Sequence, residues 1–156
     1  MDRRLIAALE SAPRVGMLQL ARDLGVARNT VQARLDRLLA DGIITGFGPD
    51  VDLRRAGFGV SAYITLDIAQ GQGPGVFDRL DALPEVVEAH LTTGPNDLLC
   101  RVVARDNDHL GQVVNRIVEV PGVSRSMTAL VLGTRIAPRA RHLLTDDPVR
   151  PPPPTR

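Results

Sequence analysis

The stretch MLQLARDLGVARNTVQARLDRL, residues 17–38, decides the reading of the N-terminal part of the chain. Leu20, Ala21 and Leu24 recur at helical spacing from about Met17, and Gly25 follows them, where a helix C-terminus favours a residue that tolerates positive φ. A second periodic run starts near Ala27 and places Val31, Leu35 and Leu38 on one face at i, i+4 and i+7. Two helices joined by a tight glycine turn are helix-turn-helix geometry. Ala21 is small where the helices cross, and Val26 and Val31 fill the space between them.

Upstream, Leu5, Ile6 and Leu9 follow Asp2, read as an N-cap, and Pro13 stops that helix. Downstream, Gly42 closes the last helix, and the β-branched pair Ile43-Ile44 predicts a switch to strand. With Val31, Leu35 and Leu38 turned inward, Arg28, Asn29, Thr30, Gln32 and Arg34 face outward or lie on the flanks, with Arg37 one turn further on. These side chains suit a DNA major groove. Arginine pairs bidentately with guanine and Asn or Gln with adenine, while Thr reaches a phosphate or a thymine methyl. The helix N-terminus itself favours a phosphate. A plain three-helix packing module has a polar face too, so the pattern alone leaves that reading open.

Residues 45–57 form a connector rich in turns around Gly46, Gly48 and Pro49, with some strand character. Ser61–Ile68 then alternates strictly, with Ala62, Ile64, Leu66 and Ile68 on one face and Ser61, Tyr63, Thr65 and Asp67 on the other. That is a half-buried strand. Gly71, Gly73, Pro74 and Gly75 predict a loop, after which Val76, Phe77, Leu80 and Leu83 keep helical spacing up to Pro84. An internal echo follows. Val76, Phe77, Leu80, Leu83, Pro84 and Val86 recur as Val113, Val114, Ile117, Val120, Pro121 and Val123, at a constant offset of 37 residues. Each copy reads as helix, Pro-containing turn, strand. Further strands fit at 97–104 and 124–132. The order strand-helix-strand-strand-helix-strand is a ferredoxin-like split βαβ unit, so the fold class is α+β. Two helices cover one face of such a sheet. Alternating apolar residues on the other face predict a surface for self-association.

The domain reading is therefore helix-turn-helix over 1–46, a linker over 47–58, the ferredoxin-like domain over 59–137, and a tail over 138–156. The tail is Pro-rich from 148 and reads as solvated or polyproline II.

Composition narrows the function classes. The 156 residues carry 19 basic and 18 acidic side chains, a net charge of +1, and every basic residue is arginine. At 44% hydrophobic the chain is not a disordered type. It has no apolar run long enough to span a membrane and no signal core, which predicts a cytoplasmic protein. Cys100 stands alone, so neither an internal disulfide nor a cysteine metal site is expected. No Ser-His-Asp, HExxH or clustered carboxylate pattern accompanies His90, His109 or His142, so no catalytic residues, metal or cofactor are expected. Near-zero net charge argues against binding nucleic acid as a monomer. It does not argue against an oligomer, because residues 27–38 hold Arg28, Arg34 and Arg37 against Asp36 alone, and assembly multiplies that local charge.

The order and spacing of several stretches together resemble the Lrp/AsnC (feast/famine) transcriptional regulators over about residues 1–145. These are Leu20-Ala21 through Leu24-Gly25-Val26, Arg34-Leu35 and Arg37-Leu38, Asp41-Gly42-Ile43-Ile44-Thr45-Gly46-Phe47, Leu83-Pro84-Glu85-Val86 leading to Thr93-Gly94, and Val120-Pro121-Gly122-Val123 with Thr128 after it. The resemblance implies a regulator that binds double-stranded DNA as dimers or as assemblies of dimers, commonly octamers. It implies a second domain that senses a small molecule, often an amino acid, where loops of adjacent dimers meet. The corresponding residues are Thr92, Thr93, Gly94, Asn96 and Asp97, with Thr128. Asp97 would accept from an ammonium, and N–H groups around Gly94 would serve a carboxylate. Pro95 stands where the family loop, Gly-Asp-x-Asp, has its first aspartate. This removes a carboxylate and an N–H, so a different effector or a lost response is open. Ala27 stands where the family often has a capping serine. Two other readings are an effector-independent architectural DNA-binding protein and, from a small branch of the family, a haem-precursor decarboxylase. The chain lacks the Trp-containing segment associated with that branch.

Overall fold

A computed structural model describes residues 1–138 and Leu143. The chain divides into two compact units, one built on Met1–Pro49 and the other on Asp50–Arg135. The expected Pro-rich tail lies outside the described residues.

The N-terminal unit holds α1 (Asp2–Ser11), α2 (Met17–Leu24) and α3 (Arg28–Ala40). Leu5, Leu20 and Val31, one from each helix, are fully buried, and Leu9, Ala21, Leu24, Leu35 and Leu38 complete the core. Gly25 ends α2 at φ 70, and its N–H donates to the Arg22 carbonyl. A left-handed residue here lets α3 leave the turn at once, and glycine takes that conformation without a Cβ clash.

Three expectations need correction. Asp2 is not the cap of α1 but its first residue, with Met1 at the cap. Its carboxylate is occupied instead by Arg34, at 2.7 Å. Ile43 and Ile44 do not begin a strand. Both of their N–H groups donate to the Leu38 carbonyl while Gly42 takes φ 68, so they finish α3. Ile44 then packs on the three-helix core. β-branching favours a strand only where the backbone groups are free to pair. The connector likewise has no strand among its described residues. Asp52 accepts from the N–H groups of Arg54 and Arg55 and Phe58 closes back to Leu53, giving one tight turn.

The second unit holds β1 (Val60–Ile68), α4 (Gly73–Asp81), β2 (Val86–Leu91), β3 (Leu98–Ala104), α5 (Asn107–Val118) and β4 (Val123–Leu130). The sheet order is β2-β3-β1-β4, antiparallel throughout. Ala62, Ile64 and Leu66 of β1 pack with Leu98, Cys100 and Val102 of β3 under Val76, Leu80, Val113 and Ile117 of the helices. Burial pushes the Cys100 thiol up to about 11, so it is an inert core residue. α4 starts earlier than its glycines suggest. Gly73, Pro74 and Gly75 form its first turn, where proline has no hydrogen bond to lose and its φ already suits a helix.

The 37-residue echo is structural. Val76 and Val113 are fully buried on equivalent helix positions, as are Leu80 and Ile117, and Val86 and Val123 open β2 and β4. The copies differ at the residue after each proline. Glu85 occupies one and Gly122 the other.

Candidate nucleic-acid interface

The inward set Val31, Leu35 and Leu38 fixes the rotation of α3, and with it the residues that face outward. Asn29, Thr30, Ala33, Arg34 and Arg37 line one shallow open depression on that helix. Four of the six residues expected to meet DNA therefore converge: Asn29, Thr30, Arg34 and Arg37. Arg28 and Gln32 lie off this depression. The Gln32 side chain is occupied, its Nε2 donating to Asp36 Oδ1 at 2.8 Å, one turn on. Ala33 lines the depression as well and was not among the expected residues, having no polar group to mark it. Its position one turn after Asn29 and one before Arg37 was the available signal.

The two arginines are held differently. Arg34 Nη1 bonds Asp2 Oδ1 at 2.7 Å with both side chains about 40% exposed, so α1 steadies one arm of the guanidinium while its remaining N–H groups stay free to donate. Arg37 makes a long, exposed contact to Asp41 at 3.4 Å, which a phosphate displaces readily. The start of α3 has no side-chain cap. Ala27 at the cap has extended dihedrals and offers only its carbonyl. The first N–H groups of a thirteen-residue helix are thus left for an anion, next to the exposed Arg28.

The loop expected to meet an effector is bonded to its own domain. The Asp97 N–H donates to the Leu66 carbonyl, and Asp97 Oδ2 accepts from the Ile68 N–H at 2.7 Å. Asn96 Nδ2 donates to Asp67 Oδ1 at 2.8 Å, and Thr92 Oγ1 donates to the Asn96 carbonyl at 2.8 Å. Gly94 turns the loop at φ 121. Asp97 therefore keeps one carboxylate oxygen for a ligand, not two, and Asn96 its carbonyl oxygen. Thr92, Thr93 and Gly94 are exposed. Thr128 stands on β4 opposite Ile64, with β1 between it and the strand that the loop enters. Within one chain the structure brings Thr92, Asn96 and Asp97 together and leaves Thr128 apart.

A further charged cluster ties the domain together on its helical side. Glu85 Oε1 accepts from Arg116 Nη2 at 2.6 Å and from His109 Nε2 at 3.1 Å. His109 Nδ1 accepts from the Arg105 N–H, which places the ring hydrogen on Nε2. Burial raises the Glu85 carboxyl, but the Arg116 bond, a backbone N–H and His109 outweigh it, and the carboxyl ends below its usual range. A depressed folded value means the ionised carboxylate stabilises the fold above the unfolded-state value, and that contribution is lost as pH falls through the folded one. The acid limb of the unfolding profile is expected to flatten in Glu85→Gln, measured by urea midpoint between pH 7 and pH 3. An unchanged profile would show that the cluster contributes nothing. His90 is exposed on β2 beside Glu88 at 3.8 Å. Among the described residues no group of three or more His, Cys, Asp or Glu could hold a metal, and no helix is long and apolar enough to cross a membrane.

A family profile described as Lrp/AsnC ligand binding domain matches residues 61–140, and one described as winged helix-turn-helix DNA-binding matches residues 1–45. The chain is 31% identical over 135 residues to the HTH-type transcriptional regulator Ptr1 of Methanocaldococcus jannaschii, covering 86% of this chain and 91% of that one. The solved structure of Escherichia coli AsnC superposes with a TM-score of 0.84 at 30% identity, over 90% of this chain and 95% of that one. A Neisseria meningitidis transcriptional regulator, solved as a complex with L-Met, shares the fold at a TM-score of 0.80 and 19% identity, over 87% of this chain and 90% of that one.

Proposed function

The chain belongs to the Lrp/AsnC family, as a DNA-binding transcriptional regulator with a ligand-binding domain rather than an enzyme, and on that premise we propose that it reads a pseudo-palindromic site through α3 as a cytoplasmic homo-oligomer whose assembly a small effector biases. The observation that carries the reading is the convergence of Asn29, Thr30, Arg34 and Arg37 on one exposed face of α3, next to an uncapped helix N-terminus. Two such helices of a dimer enter successive major grooves, about 34 Å apart in B-DNA.

The open face of the sheet supports pairing between copies. Alternation along β1 and β3 puts Tyr63, Thr65, Leu99 and Arg101 on that face, opposite the helices. Tyr63 and Met127 are large and exposed there. Thr65 Oγ1 and Arg101 Nε lie buried beneath this face with no hydrogen-bond partner among the described residues. Assemblies of dimers, including an octamer, follow the family pattern. The effector loop, residues 92–97 with Thr128 supplied across an assembly contact, is suited to an amino acid. The remaining Asp97 oxygen would accept from its ammonium, and N–H groups around Gly94 would serve its carboxylate. The L-Met complex of the Neisseria relative supports that ligand class.

Sedimentation of the purified full chain at micromolar concentration tests the assembly. A mass of at least two chains is expected, with a further shift on adding an amino-acid mixture. A strictly monomeric mass would overturn the oligomeric reading. An unshifted oligomer would favour the effector-independent architectural alternative, for which Pro95 gives a reason.

A further inference from the structure

We propose that Ala33 is a specificity-determining residue of α3, reading the 5-methyl group of a thymine in the major groove. This deepens the DNA-binding reading above and rests on it. Five residues line the depression on α3, and four of them, Asn29, Thr30, Arg34 and Arg37, carry hydrogen-bonding groups at the ends of their side chains. Ala33 alone offers only a methyl group, and it is exposed. Helical spacing puts it one turn from Asn29 and from Arg37, three residues after Thr30 and next to Arg34. It therefore sits among the longer side chains as a short apolar floor.

In the major groove the four bases present different edges, and thymine alone adds an apolar group, its 5-methyl. A donor or acceptor set against that methyl loses its water without gaining a partner, whereas an alanine Cβ gains apolar contact. A side chain longer than alanine at this position would hold the helix away from the bases its neighbours are placed to reach. The two arginines that flank the site are each tied at one end, Arg34 to Asp2 and Arg37 to Asp41. Thr30 also carries a methyl on this face, so the test must separate the two.

The test uses the full-length chain and a duplex it retains from a fragment selection, with each thymine replaced in turn by deoxyuridine, which removes only the methyl. For the wild-type chain one replacement per half-site is expected to weaken binding about fourfold, the value of one methyl-sized apolar contact. In Ala33→Gly the thymine and uracil duplexes are expected to bind alike at that position. Circular dichroism of Ala33→Gly shows whether the helix is kept, and the wild-type comparison of thymine with uracil needs no variant, so the outcome does not hang on whether the glycine variant folds. Equal affinity of the wild-type chain for thymine and uracil at every position would overturn the assignment. So would a sensitivity that survives in a folded Ala33→Gly, or one abolished by Thr30→Ser alone. If the wild-type chain retains no duplex at all, DNA reading by α3 fails first and this assignment with it.

Discussion

Replacing Gly122 with alanine is expected to cost the ligand-binding domain about 2–6 kcal/mol, counting a strained positive φ at about 1–3 and overpacking at about 1–3. Gly122 has φ 103, and a Cβ built there would lie 2.7 Å from Gln72 Cβ and 2.9 Å from Val76 Cγ2. Neither neighbour yields cheaply. Gln72 Cβ is fixed to the residue that caps α4, and Val76 is fully buried in the core. Gly122 also accepts the Ala69 N–H at 2.8 Å, so shifting its backbone breaks the join between β1 and the β4 turn. Tyr63 is the single tyrosine and the chain has no tryptophan, so intrinsic fluorescence in a urea titration reports on β1 of this domain alone. Gly94→Ala is the control. Its φ of 121 imposes strain, but nothing lies within 4 Å of the added Cβ, so it should be the milder change. Equal midpoints for wild type and Gly122→Ala would contradict the packing described at this turn.

Arg34→Ala is expected to weaken binding to a retained operator by about 1–3 kcal/mol per half-site and to relax preference at one base position. In a dimer the loss counts in both halves. The fold should survive, because the lost Arg34–Asp2 pair is part-exposed and such pairs contribute about 1 kcal/mol or less. Asp2→Asn frees the guanidinium without removing it, so it should cost affinity less than Arg34→Ala does. Arg28→Ala is expected to behave differently. Arg28 lies at the uncapped start of α3 and off the depression, the position of a phosphate contact. Its loss should weaken all sequences alike and reduce the salt slope by about 1 per contact. Fluorescence anisotropy at two salt concentrations separates the two behaviours. Unchanged binding in both variants would remove α3 as the reader.

The fold was largely legible because periodicity and backbone needs agree over most of the chain. Val31, Leu35 and Leu38 fixed the rotation of α3, and the strict alternation of 61–68 fixed the faces of β1. The 37-residue echo located both helix-turn-strand units before any pairing was known. Sequence reasoning failed where a side chain or backbone group had a distant partner. Asp2 looked like a cap because nothing local revealed that Arg34, 32 residues away, takes its carboxylate. Ile43-Ile44 looked like a strand because β-branching is visible, whereas two N–H groups turning back to Leu38 are not. Gly73-Pro74-Gly75 looked like a loop because glycine and proline disfavour a helix interior but not its first turn.

Helical rotation read from the sequence puts Asn29, Thr30, Arg34 and Arg37 on one face, and they line one depression on α3. The bond from Gln32 to Asp36 depends on side-chain orientation and is not legible in the sequence. The loop of residues 92–97 was found by resemblance, but its internal bonds to Leu66, Asp67 and Ile68 required the sheet. The overall charge of +1 gives no sign of the local excess of arginine on α3. The arginines of α3 are few, and the oligomer proposed above would present several copies of them together.

Sequencing the genomic fragments retained by the full chain, in parallel with the chain carrying Asn29→Ala, Arg34→Ala and Arg37→Ala together, tests the central claim most directly. The wild-type fragments are expected to share a pseudo-palindromic motif with half-sites about one helical turn apart or a multiple of it, and the triple variant to retain no such motif. Wild-type fragments without a common motif, or the same motif retained by the triple variant, would contradict sequence reading by α3.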